Sequence, residues 1–243
     1  MDNRLALMAG TDIPVPECQI IVHQPTITEI AFIGESDFFV GVQTLCLNKT
    51  MFIEDKTVLS EVNNFQIFMT VISDKETADK KDAVKKVLNL LLPKYKVLLT
   101  PKSILVNDEG GSHIIDESNF EPFQDILRQV FCAKTGPMDQ QTFNPGNAKA
   151  KEIADKLMRG RKRVAEQKGE TNMSVFSQYL SILTIGLHLS LTDLLKTTMY
   201  QLYDLMERYS LYIHWDIDIR SRLAGAKPDS PPENWMKNIH NNS

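Results

Sequence analysis

The chain has 243 residues, of which 42% are hydrophobic and 24% charged, with 11 glycines and 11 prolines. This is ordinary globular composition, and it excludes wholesale disorder and low complexity. The net charge of -4 is uneven: residues 1–137 carry 13 Lys/Arg against 19 Asp/Glu, residues 138–172 carry 8 against 5, and residues 173–243 carry 6 against 7. The whole chain therefore lacks the basic surface of a general nucleic-acid binder, with the middle segment as the local exception.

Residues 11–16 are extended, punctuated by Pro14 and Pro16. Residues 18–23 read as a strand carried by Ile20, Ile21 and Val22, and Pro25 ends it. Thr26 then caps a helix, with Glu29 three residues on in capping-box position and Ile27, Ile30 and Ala31 on one face. Glu35, Ser36 and Asp37 either break this helix or begin another through Phe38, Phe39, Val42, Leu45 and Cys46. Helical spacing returns in Val62, Phe65, Phe68, Val71 and Ile72, and again in Val84, Val87, Leu88 and Leu91 until Pro93. Residues 95–99 and 103–106 read as short strands. Residues 107–111 form a turn, and His113, Ile114 and Ile115 complete a hairpin. Phe120, Phe123, Ile126, Leu127 and Val130 mark the next helix.

Pro145 and Gly146 open a highly charged helix over residues 147–167, with a narrow apolar stripe of Ala150, Ile153, Ala154, Leu157 and Met158. Residues 175–189 are apolar almost all round, which demands burial in a bundle or an interface. Ser190 or Thr192 caps a further helix whose stripe is Leu191, Leu194, Leu195, Met199, Leu202, Leu205, Met206 and Tyr209. The pattern runs on through Tyr212 and Trp215 toward Leu223, and Gly225 and Pro228 end it. Residues 229–243 form a tail anchored by Trp235 and Ile239. The expected fold is α+β. An N-terminal domain (1–137) holds a small antiparallel sheet and packed helices, a charged connecting helix spans 138–172, and a largely helical region spans 173–243.

Chemistry-bearing clusters are sparse. His214, Asp216 and Asp218 would share a face on a strand and hold a divalent cation. The surrounding helical pattern instead points them apart, beside Arg220 and Arg222, so no metal site is expected. Arg159, Arg161, Lys162 and Arg163 form a basic patch of the kind that binds phosphates, but no aromatic residue is interleaved for base stacking. A solvated or acidic-partner face fits it better than nucleic acid. His23, His113 and His188 have no carboxylate or cysteine at catalytic or ligand spacing. Cys18, Cys46 and Cys132 offer neither a disulfide framework nor a CxxC motif, and free thiols fit a reducing cytoplasm. No signal peptide is visible. The most apolar run, residues 181–191, is far shorter than the ~20 residues of a membrane span. No nucleotide, hydrolase or metalloprotease motif is present, so the reading is non-enzymatic, without a cofactor.

Two stretches carry a family resemblance. Residues 20–30, a strand followed by a proline–threonine turn and Glu29-Ile30, lead to Gly34-Glu35 and Phe38-Phe39. Near the other end, Arg222, Leu223, Ala224, Gly225 and Ala226 are followed by Trp235. Together they resemble the tail assembly chaperones of tailed bacteriophages, the proteins encoded just before the tape measure protein. The resemblance covers both ends of the chain and leaves residues 51–145 unmatched. It implies a host-cytoplasmic assembly factor, absent from the finished virion. Such a factor binds the tape measure protein, promotes polymerisation of the tail tube protein, and in several cases is also made as a frameshifted long form. A helical client needs an apolar face at helical spacing, and Leu195, Met199, Leu202 and Met206 are the residues expected to supply it. The alternatives are a structural tail or neck component of a phage particle, and a nucleic-acid-binding regulator using the basic patch.

Overall fold

The computed structural model describes residues 3–51, 62–74, 77–133, 174–226, 230–237 and 239. The sequence did not announce the first element, α1 (Arg4–Ala9). It is short, and its flanking Asn3 makes no side-chain cap bond. Gly10 closes it at φ 67°, a left-handed conformation that glycine adopts without strain. Strands β1 (Ile13–Val15) and β2 (Ile20–Val22) pair antiparallel, Ile13 opposite Val22 and Val15 opposite Ile20. All four of these side chains are buried, while Pro14 and Ile21 face outward. The prolines at 14 and 16 thus sit in and beside a paired strand rather than in a free extension.

The capping box forms as expected: the Thr26 hydroxyl accepts from the Glu29 amide at 3.3 Å, and the Glu29 carboxylate accepts from the Thr26 amide at 2.8 Å. It starts α2 (Ile27–Ile33), and after Gly34, at φ 87°, α3 (Glu35–Leu45) follows directly. A single 3₁₀ turn occupies Lys49–Met51. Helix α4 (Asn64–Ser73) begins with a second capping box, Asn63 with Gln66, and α5 (Ala78–Leu91) ends before Pro93. Gly41 of α3 lies so close to α5 that an added Cβ would sit 2.7 Å from the Ala83 carbonyl oxygen.

Strands β3 (Lys96–Leu99), β4 (Ile104–Asn107) and β5 (Ser112–Ile115) form an antiparallel meander in that order. The Asp108 carboxylate accepts from the amides of Gly110 and Gly111, both at 2.8 Å, which fixes the β4–β5 turn. Val97, Ile104, Val106 and Ile115 face the core. The amphipathic helix α6 (Phe120–Val130) buries Phe120, Phe123, Leu127 and Val130.

Beyond residue 173 come α7 (Val175–Leu187), the single-turn α8 (Leu191–Leu194) and the long α9 (Met199–Leu223). The stripe from Leu191 to Tyr209 is therefore not one helix. Thr198 and Gln201 make a third capping box that restarts the chain at Met199, and between the two helices the carbonyls of Leu195 and Thr197 accept from outside both helices. The α+β fold class holds, with helix 58% and strand 11% of the described residues, so helix-on-helix packing dominates. One apolar core runs through both ends of the chain. Phe38 of α3 packs edge-on against Phe131 (5.3 Å) and lies 6.0 Å from Phe176 of α7, while Phe39 stacks on Phe176 at 5.3 Å and 13°.

Candidate functional site

The distinctive feature of this fold is the seam between α2–α3 and the C-terminal helices. Thr26 and Thr198, the N-cap residues of α2 and α9, form an antiparallel bridge. The Ile27 amide donates to the Thr197 carbonyl at 2.9 Å. Thr28 donates to the Leu195 carbonyl from its amide at 3.0 Å and from its hydroxyl at 2.9 Å. These are the carbonyls that interrupt the α8–α9 stripe. One strand-like bridge thus satisfies first-turn amides of α2 that a helix start leaves unpaired. The Glu35 carboxylate accepts from the Val175 amide at 2.7 Å, capping α7 from another helix. Gln201 of α9 donates to the Met8 carbonyl of α1 at 2.7 Å.

This seam decides the fate of the expected client face. Met199 and Leu202 are core residues, 5% and 0% exposed. Leu195 and Met206 are half-buried against that core. The four residues are brought together, but as the packing layer beneath the surface rather than as an open groove. The α8–α9 break accompanies this: Leu194, Met199 and Leu202 turn into the core, while Leu191 at the head of the stripe stays exposed. The exposed apolar side chains lie one layer out. Helix α7 buries Phe176, Leu180 and Leu183 on one face and leaves Ile182 (40% exposed) and Ile185 (73%) on the other. Leu189 and Leu191 (50%) continue the apolar surface into α8. The all-round apolar character of residues 175–189 signalled this surface. Inward and outward faces cannot be told apart where both are apolar.

The distal part of α9 is helical through His214, Asp216 and Asp218, so these side chains do not converge. Asp216 pairs with Arg220 at 2.8 Å and Asp218 with Arg222 at 3.1 Å, each four residues on. No cluster of three or more His, Cys, Asp or Glu among the described residues can hold a metal ion. The tail folds back on this helix: Trp235 meets Tyr212 edge-on at 5.5 Å and lies 6.5 Å from Trp215, and Arg208 donates to the carbonyls of Trp235 and Lys237 at 2.8 Å. The anchor expected at Trp235 is present, and Arg208 is the partner the sequence concealed.

His23 departs from expectation. Its Nδ1 lies 2.9 Å from Asp12 Oδ1 and its Nε2 lies 3.4 Å from the Glu29 carboxylate, so carboxylates flank both ring nitrogens. Separations of 11 and 6 residues match no catalytic or ligand spacing. The β1–β2 pairing and the α2 N-cap create the cluster. Lys94 also reaches Asp12, at 3.1 Å. Burial raises the Asp12 carboxyl, but the hydrogen bonds from His23 and Lys94 outweigh it and hold the group below its ordinary value. Glu29 behaves alike: burial raises it, and the bonds from Thr26 and His23 bring it below. His188 is the left-handed C-cap of α7, outside the helix in which its neighbours suggested it lay. His113 faces Asp108 at 3.6 Å. Burial pushes Cys18, Cys46 and Cys132 each up to about 12, which makes them poor nucleophiles.

An open depression of about 650 Å³ lies between α4 and the turns at 101–102 and 116–118, with Phe65 and Met69 in its floor. In its polar lining the Ser118 amide and hydroxyl both donate to the Asp116 carboxylate, at 2.9 and 2.6 Å, an exposed contact within the 116–118 turn. Among the described residues no helix is long and apolar enough to cross a membrane. The basic patch of Arg159, Arg161, Lys162 and Arg163, with the charged helix that carries it, lies outside the described residues.

Residues 167–240 match the family model for the YomV second domain, a phage-derived domain family. The matched stretch takes in α7, α8, α9 and the folded-back tail. No curated protein and no solved structure matches the chain.

Proposed function

We propose that this chain is a non-enzymatic phage tail assembly chaperone that binds the tape measure protein and promotes assembly of the tail tube. On this reading it acts in the host cytoplasm and is left out of the mature virion. The phage-derived family match over residues 167–240 supports the phage setting. The resemblance of both chain ends to tail assembly chaperones supports the specific role. The observation that carries the mechanism is the uncovered apolar surface of α7 and α8, where Ile182, Ile185, Leu189 and Leu191 stand exposed above a filled core. An amphipathic helical client buries its own stripe against such a surface and stays in solution while bound. Leu195 and Met206 form the half-buried margin of this docking face, and Met199 and Leu202 support it from beneath. The charged remainder of the chain keeps the complex soluble.

The test is a tagged pulldown from cells making the native gene cluster, with partners identified by mass spectrometry. The wild-type chain is expected to recover a very long coiled-coil protein, with or without a tube subunit. Ile185→Glu combined with Leu191→Glu, both at solvent-facing positions, is expected to keep the fold by circular dichroism and to reduce that recovery at least about tenfold, the effect of losing a central apolar anchor pair. Unchanged recovery by the folded variant would remove α7–α8 as the docking face. Recovery of nucleic acid, or presence of the chain in purified particles, would replace the chaperone reading altogether.

A further inference from the structure

His23 is placed where a neutral imidazole is mismatched. A neutral ring has one N–H donor and one lone pair, whereas the imidazolium has two donors. Here both nitrogens face carboxylate oxygens, Asp12 at 2.9 Å and Glu29 at 3.4 Å. If the ring is neutral, one carboxylate faces a lone pair; if it is protonated, both are satisfied. The side chain is 26% exposed, so protons reach it from solvent.

The surroundings make this contact consequential. Asp12 sits at the start of the β1–β2 pair and Glu29 is the capping-box residue of α2. The same Glu29 oxygen that faces His23 accepts from the Thr26 amide and hydroxyl, both at 2.8 Å. Thr26 is bridged to Thr198, and the next two amides donate into the α8–α9 connection. The His23 amide itself is tied to the Leu91 carbonyl of α5 at 2.8 Å, which holds the ring in place. Lys94, at the far oxygen of Asp12, faces the group from the α5–β3 side, and the neighbouring Tyr95 hydroxyl accepts from the Ile21 amide.

We propose that the Asp12–His23–Glu29 bridge is a pH-sensitive clamp. Its protonated form locks the β1–β2 pair to the α2 N-cap and thereby tightens the seam to α8–α9, and loss of the proton loosens it. Asp12 and Glu29, held below their ordinary 3.8 and 4.5, stay charged through the range of pH 5–8 in which histidines titrate. The clamp is therefore closed while the ring carries its proton and relaxed once the proton is lost. The inference stands independently of the client-binding reading, because it rests on the seam alone.

The experiment is amide hydrogen exchange on the full chain at pH 5.5 and pH 8, read at Ile27 and Thr28 and corrected for the intrinsic pH dependence of exchange. The corrected protection of these amides is expected to fall about tenfold between the two pH values, the effect of about one charge-assisted hydrogen bond. The amide of buried Phe68 in α4, a helix without a histidine, is expected to hold constant. In His23→Gln the fall is expected to disappear. If that variant does not fold, Glu29→Gln keeps both the imidazole and a competent capping box and is likewise expected to flatten the dependence. Equal corrected protection at both pH values in the wild-type chain, or an undiminished fall in a folded variant, overturns the clamp.

Discussion

At the scale of single residues, the strictest constraint is Gly41. Its α-carbon hydrogen points at the backbone of α5, where an added methyl would meet the Ala83 carbonyl oxygen at 2.7 Å and the Val87 side chain at 2.6 Å. A side chain can rotate away, but a helical carbonyl in a filled core cannot. Gly41→Ala is therefore expected to lose about 1–3 kcal/mol to overpacking, despite alanine's better helix propensity, as read from urea unfolding midpoints. A neutral or stabilising result would mean that α3 and α5 are free to separate. The sequence hid this constraint, since a glycine inside a helical stripe looks the same whether it faces solvent or a neighbour. The Thr26–Glu29 capping box was legible because both partners lie within one turn. His23 with Asp12 and Glu29 was not, because its geometry comes from the strand pairing.

At the scale of elements, the Asp12 and Glu29 carboxyls link local contacts to acid stability. Burial raises each, and their hydrogen bonds bring each below its ordinary value of 3.8 or 4.5. A carboxyl with a lower pKa when folded contributes stability that is complete above its unfolded value and is lost as pH falls through its folded value. The wild-type chain is thus expected to lose more stability between pH 5 and pH 3 than an Asp12→Asn, Glu29→Gln double variant, measured by urea midpoints at each pH. Parallel losses would show that these contacts do not anchor α2. Element identity was largely readable from local pattern: the capping box at Thr26, the Asp108 turn and the Phe120–Val130 stripe all concern neighbours in sequence. The α8–α9 break was not, because the carbonyls of Leu195 and Thr197 are drawn to α2, and that partner is 167 residues from Leu195 along the chain. Helix α1 was missed for a different reason: six residues without a side-chain cap give little periodicity to read.

At the scale of the whole molecule, the described residues on either side of 134–173 share one core. Phe176 and Leu183 of α7 belong to the same buried cluster as Phe38, Leu88 and Phe123. Calorimetry is expected to show one unfolding transition, with calorimetric and van't Hoff enthalpies in agreement. Two separate peaks would assign α7–α9 an independent fold. The overall class was legible because composition and apolar periodicity report how much surface must be covered. Where the C-terminal helices dock was not, since an apolar helix shows that it needs a partner without showing which.

The seam also sets an order of events during synthesis. The residues that complete α2 and cap α7 lie between 140 positions (Glu35 to Val175) and 170 positions (Ile27 to Thr197) from their partners. A ribosome adding ~5–20 residues per second takes roughly 10–30 s to make the missing stretch. Throughout that interval the nascent N-terminal portion holds Phe39 without Phe176 above it, and the amides of Ile27 and Thr28 without their carbonyls. Such a chain emerges with an unpaired, strand-like edge beside bare aromatic surface, the combination that invites premature association. Early on the ribosome, this protein is therefore itself a client in need of protection, and it becomes self-contained when its last helix arrives.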